Sequence, residues 1–178
     1  LTPPPVTSRI ITYRGAATAG DPWDVTGGGV KAVASTSVSV TGVTTTVADT
    51  LIVQAVARDT DSTAAFFSGQ TNAALTGIAE RSDAGTTTGL GGGFAVWDGY
   101  KGSASATGNT TATVTNSINA FLSVALKPQA ATVPVFGALG AAAVTGLNWP
   151  AHAVDDIALL FVESTGGLVT GAVDRSKM

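Results

Sequence analysis

Few side chains in this 178-residue chain can do chemistry. His152 is the single histidine, with Asp155 and Asp156 close behind it. Such a group can bind a metal or exchange protons. A Ser–His–Asp triad would need this same histidine, and no Gly-x-Ser-x-Gly elbow supplies its nucleophile. His152 also precedes a strongly apolar run, the place of a turn entering a buried strand, so no catalytic residue is expected there. Asp59-Thr60-Asp61-Ser62 offers two carboxylates to Ca2+, an ion that takes about six to eight oxygens. The rest of a calcium loop is missing, so Asp59 and Asp61 read first as a solvated loop and only then as calcium ligands. Asp21 and Asp24, flanking Pro22-Trp23, share that weakness. No other metal and no cofactor is expected.

Trp23, Trp97, Tyr100 and Trp149 present rings on which a sugar can stack. Trp97 lies between apolar neighbours and reads as core. Trp23 sits in a turn, and with Tyr100 it forms the candidate carbohydrate site. Glu80-Arg81 and Asp98 read as a structural ion pair, in preference to the paired carboxylates of a glycosidase. Gly27-Gly28-Gly29 and the glycines at 89 and 91–93 open no helix with Gly-Lys-Ser/Thr, so neither is a phosphate loop. They are expected to be turns or places of close backbone approach. Asn109-Thr110-Thr111 is a glycosylation sequon, relevant only in a eukaryotic secretory host.

The elements that must position these groups are strands. Residues 33–47 alternate Ser, Thr and Val with period two, the mark of a half-buried strand. Residues 51–57 are almost continuously apolar, which suits a strand covered on both faces. Shorter β-prone runs occupy 9–15, 76–83, 94–100, 110–115 and 120–126, with turn residues between them. Gly27-Gly28-Gly29 is expected to interrupt the chain, and residues 138–144 form the one Ala-rich stretch with helical character. Residues 47–53 and 154–160 echo each other: an acidic turn, then a buried strand.

Composition agrees. Charged residues make up 12% of the chain, against about 25% in an average domain. Glu occurs only at positions 80 and 163, so long solvated helices lack their usual outer face. Without Cys there is neither a disulfide scaffold nor a thiolate zinc site. A net charge of −3 argues against nucleic acid as a partner. Mean hydropathy is +0.33, yet no run approaches the ~18–20 apolar residues of a membrane span. The chain lacks an initiating Met and a basic leader and opens on Pro3-Pro4-Pro5. It is therefore expected to follow a processing event or to be a piece of something longer.

Several passages resemble a repeated β-sandwich module of tailed-bacteriophage virion-surface and tail-appendage proteins, found also in secreted bacterial surface proteins. They are Ile11-Thr12-Tyr13-Arg14-Gly15, Thr44 through Val53, Gly77 through Asp83, Thr107 through Thr113, Val124-Ala125-Leu126-Lys127-Pro128, and Trp149 through Leu160. The resemblance covers most of the chain. It implies a virion or extracellular location, and partners that are other copies of the chain, further virion or surface proteins, or glycans. In such modules the Trp-Pro passage comes first and the Ala-Leu-Lys-Pro passage last, the reverse of the order here. Residues 1–128 thus read as the later part of one module. Residues 129–178 read as a linker plus strands opening a second, incomplete module, packed in cis or on a neighbour. For a trans arrangement the assembling residues are Val154, Ile157, Leu159 and Phe161, adding a strand to a neighbour's sheet.

The expectation is an all-β, antiparallel β-sandwich, jelly-roll-like, with an extended C-terminal β segment. The expected function is non-enzymatic: a structural subunit of an extracellular assembly, foremost a phage virion surface or tail fibre. A secreted bacterial fibre or adhesin module and a carbohydrate-binding domain are the alternatives.

Overall fold

The structure, a computed structural model, describes residues 6–88, 91–130, 132–141, 148–164 and 167–170. Among the described residues there is no helix, and ten strands follow in order. They are β1 (Val6–Arg14), β2 (Trp23–Val40), β3 (Thr50–Arg58), β4 (Ser68–Thr71) and β5 (Thr76–Thr86), then β6 (Gly92–Lys101), β7 (Thr110–Leu126), β8 (Val135–Leu139), β9 (Ile157–Ser164) and β10 (Gly167–Thr170).

The apolar run at 51–57 becomes β3, in which every residue is buried. It lies between β6 and β7 at the centre of a six-stranded antiparallel sheet ordered β2-β7-β3-β6-β5, with β4 beside the first half of β7. A four-stranded sheet, β10-β9-β1-β8, packs on one face of it to form an antiparallel sandwich. The core between the sheets joins Ile11 and Tyr13 of β1 and Ile157, Leu159 and Phe161 of β9 to Leu51, Val53, Phe94, Val96 and Val124 of the larger sheet. The other face of β3 is covered as well: Val56 packs with Trp97, Phe67 and Ala95, and with Val38, Val40, Ala112 and Val114 from the far halves of β2 and β7. Burial on both faces is the physical reason this strand shows no alternation.

Polar groups inside this second layer are paired in a row. Trp97 Nε1 donates to Gln54 Oε1 at 2.9 Å, Gln54 Nε2 to Ser123 Oγ at 3.1 Å, and Ser123 Oγ to the Thr41 carbonyl at 3.1 Å. At the end of β3, the buried Arg58 guanidinium donates to the Thr60 carbonyl and lies 4.0 Å over the Phe66 ring. Gly93 leaves room for it, because a Cβ there would lie 2.9 Å from Arg58 Nη2 and 2.5 Å from the Ala84 carbonyl.

Two strand boundaries differ from the sequence reading. Gly27-Gly28-Gly29 does not break the chain but runs inside β2. A Cβ at Gly29 would lie 2.8 Å from the Phe121 ring, so bare backbone is what lets β2 close on β7 here. That stretch is the close-approach alternative and not the turn. The strand expected over 33–47 ends at Val40; beyond it the Thr107 N–H donates to the Val43 carbonyl at 2.8 Å and the Val43 N–H donates to Thr107 Oγ1 at 2.9 Å. Of the Ala-rich stretch 138–144, positions 138 and 139 close β8, and 142–144 lie outside the described residues.

The chain beyond residue 128 supplies three of the four strands of the smaller sheet. β9 pairs with β1 of the same chain from Val6↔Ser164 to Tyr13↔Ile157. The echo between 47–53 and 154–160 has a backbone counterpart only with an offset of one position, since Asp49 aligns with Asp156 and the left-handed residue is Asp155. Asp49 (φ 58°) and Asp155 (φ 75°) are the non-glycine residues of left-handed conformation among those described, and each stands just before a buried strand at the middle of its sheet. Asp tolerates that conformation better than most residues.

Candidate functional site

Seven acidic groups, Asp24, Asp49, Asp59, Glu80, Asp83, Asp98 and Asp156, are held by hydrogen bonds of the chain itself. Asp156 enters β9 with its carboxylate buried. It accepts Arg14 Nε at 2.9 Å and Nη2 at 3.1 Å, and the Ala153 N–H at 2.8 Å. His152 Nδ1 lies 2.9 Å from the Pro150 carbonyl, with its ring 6.0 Å from the Trp149 ring. The Arg14 hydrogen bonds hold the Asp156 carboxyl below its ordinary pKa, against its burial. A depressed carboxyl contributes stability that is full above its unfolded value of about 3.9 and is lost as pH falls through the folded value. Asp156→Asn is therefore expected to be less stable than the parent at neutral pH and to converge with it in strong acid. Denaturant titrations across pH check this; equal stabilities at neutral pH contradict it.

Asp98 and Arg81 form the second ion pair, at 2.8 Å through both guanidinium nitrogens. Asp98 is buried on the face turned to the smaller sheet, and the Arg81 guanidinium lies 4.7 Å over the Phe136 ring of β8. Tyr13 of β1 packs edge-on to Phe136 at 6.2 Å. Burial pushes its phenol well above the ordinary value, and the Asp98 charge adds to that. Glu80 neighbours this pair in sequence but accepts Gln70 Nε2 at 2.6 Å instead. Asp83 Oδ2 accepts the Phe66 and Phe67 N–H groups, each at 2.7 Å, and burial raises its pKa.

The two calcium candidates sit in the loop after β3. Asp59 Oδ1 accepts the Ile118 N–H at 3.1 Å, and Asp61 lies against Gly91, where any Cβ would collide with its carboxylate. Among the described residues no group of three or more His, Cys, Asp or Glu side chains is placed to hold a metal ion. Asp24 takes the Thr46 N–H and hydroxyl and the Val47 N–H. Burial works against its charge, but those donors win and keep its pKa low.

Trp23 and Tyr100 fall on one row across the larger sheet, Trp23–Leu126–Leu51–Tyr100. Strands are spaced about 4.8 Å apart, so roughly 14 Å and two core leucines separate the rings. They do not form one continuous platform. Trp23 is exposed, and the Tyr100 hydroxyl is engaged by Asp49. Trp97 is core, as read from its neighbours. Of the four residues marked for assembly, Ile157, Leu159 and Phe161 face the core of their own chain, and Val154 is 80% exposed in the turn before β9.

Sequence reading missed the feature that stands out most on the surface, the outer edge of β2. Val30 and Val33 there are 72% and 76% exposed. The alternation over 33–47 drew attention to Ser and Thr, and the glycines hid the strand that carries Val30. Val133, Val135 and Trp149 form further exposed apolar surface at and beside β8.

The fold defines an all-β protein built as an antiparallel sandwich. No protein-family model, curated protein sequence or solved structure matches the chain. No helix among the described residues is long and apolar enough to cross a membrane.

Proposed function

We propose that the protein is a non-enzymatic structural subunit of an extracellular assembly, a virion-surface or tail-fibre component of a tailed bacteriophage. The observation that carries this reading is the division of labour among its side chains. Asp24, Asp49, Asp59, Glu80, Asp83, Asp98 and Asp156 are each bound to donors of their own chain, whereas five of the seven large exposed hydrophobic groups, Trp23, Val30, Val33, Val133 and Val135, lie on the edge strands β2 and β8 or just before β8. Chemistry-bearing groups serve the fold, and apolar groups are left for contact. Low charge favours edge-to-edge association for the same reason, since like charges that would repel a neighbour are few. The resemblance to phage β-sandwich modules supplies the setting.

The exposure of Trp23 favours one further reading, a carbohydrate-binding domain. A glycan array combined with light scattering separates the two. The assembly reading expects multimers that persist in Trp23→Ala and no glycan binding. Glycan binding by a monomer, lost in Trp23→Ala, overturns it.

A further inference from the structure

Among the described residues the sandwich has four sheet edges: β2 and β5 on the larger sheet, β8 and β10 on the smaller. Three are blunted in the ways natural sheets avoid unwanted pairing. β5 is irregular at two places in its pairing with β6 and carries Glu80, Arg81 and Asp83. β8 has five residues and an irregular register with β1; β10 has four residues. β2 has eighteen residues; its register with β7 shifts between Trp23 and Val25 and again between Lys31 and Ser37, but the seven residues from Val25 to Lys31 pair without a break. Lys31 is the one charged residue of that stretch, and its Nζ donates to the Ser37 carbonyl of the same strand at 2.8 Å. The row Phe94–Ala57–Ala120–Val30 crosses the sheet with its side chains on one face. Exposure along it is 0%, 0%, 9% and then 72%, so apolar character continues past the point where cover stops.

We propose that a second copy of this chain covers this edge, pairing antiparallel along β2 about a two-fold axis midway between the two Gly28 residues. This deepens the assembly reading and rests on it. A two-fold normal to the sheet keeps each residue on its own face, so one residue must stand opposite its own copy with the axis between them, and Gly28 is the centre of the regular stretch Val25–Lys31. Thr26 of one copy then stands opposite Val30 of the other, Gly27 opposite Gly29, and Val25 opposite Lys31. The strand is self-complementary in this register. Lys31 meets an apolar residue, the two Lys31 groups stand about 20 Å apart, and glycine backbones meet at the axis with no side chain between them. The outward N–H and C=O groups of both strands pair, and the apolar row runs from Val30 onto the Thr26 methyl of the other copy.

The chain has no cysteine, which makes the register directly testable. Directly opposite residues of an antiparallel pair have Cα atoms about 4.5–5.5 Å apart, within disulfide reach. Thr26→Cys/Val30→Cys is expected to give a covalent dimer under mild oxidation. Val30→Cys alone gives none, because the two Val30 positions lie about 13 Å apart in this register. Val30→Asp/Val33→Asp is expected to weaken dimerisation at least tenfold by sedimentation while the melting temperature stays within a degree or two, since both side chains are in solvent. Equal cross-linking in the single and double cysteine variants overturns the register. Larger particles that ignore the aspartate changes overturn this interface but keep the assembly reading. A parent chain that stays monomeric at every concentration overturns both.

Discussion

Ending the chain after Pro128 abolishes folding: this is the largest effect expected of any single change. The shortened chain keeps the whole six-stranded sheet but loses β8, β9 and β10, leaving β1 with no partner in its own sheet. The face that carries Leu51, Val53, Phe94, Val96 and Val124 then turns to water in place of Ile157, Leu159 and Phe161. Each large apolar side chain left uncovered forfeits about 1.5–3 kcal/mol. Uncovering several together exceeds the roughly 5–15 kcal/mol by which a domain is stable. Far-UV circular dichroism and amide chemical-shift dispersion read the outcome. Aggregated or unfolded material is expected; a soluble, cooperatively melting 128-residue product contradicts the pairing of β9 with β1 as the cover of this core.

Arg81→Met is expected to destabilise the protein by about 3–5 kcal/mol, the range for stripping the partner from a buried charge. Asp98 is buried between the sheets, with Arg81 bonded to both its oxygens, and it cannot reach water without opening the sandwich. Part of the loss comes from the packing of the guanidinium on Phe136, through which β5 touches β8. A double change, Arg81→Met with Asp98→Leu, is expected to recover most of the stability, because two apolar groups replace a charge pair whose desolvation was itself costly. Chemical denaturation of the two single variants and the double variant measures the coupling. A loss below about 1 kcal/mol for Arg81→Met would mean that the pair behaves as an exposed surface bridge.

The strand content of the fold was readable because its strongest signals are local. The apolar run of β3 announces a strand buried on both faces, and the Phe94–Tyr100 run announces β6. β7 was read in two pieces, 110–115 and 120–126, because Asn116, Ser117 and Asn119 interrupt its apolar character. Ser117 and Asn119 are buried, and Asn119 closes a bond to the Ser117 carbonyl, a solution invisible to periodicity. The strand through Gly27-Gly28-Gly29 was hidden because glycine signals a turn until the ring of Phe121, far along the chain, is seen to need the space. The Asp98–Arg81 pair was legible as a structural bridge. Its position between the sheets was not, since Phe136 and Tyr13 reach it only after the whole chain has folded. The buried Arg58 carried no signal at all: its acceptors are backbone carbonyls, which every residue has.

The echo of residues 47–53 in residues 154–160 meets a structural likeness only one position out of register: Asp49 aligns with Asp156, whereas the left-handed residue is Asp155. Sequence similarity there is slight, yet both passages place an aspartate of left-handed conformation ahead of a central strand, one in each sheet. The device stands at the entry of one inner strand in each sheet, β3 in the larger and β9 in the smaller. Asp49 turns its carboxylate to Tyr100, and Asp156, next to Asp155, turns its own to Arg14.

The central claim is that this sandwich exists to associate through its own strands. Negative-stain microscopy of the native material, with the particle mass measured on the same sample, tests it most directly. The account predicts regular multimers, rings or filaments, whose mass is a whole multiple of the protomer mass measured under denaturing conditions. A uniform field of monomers at the same concentration would contradict it.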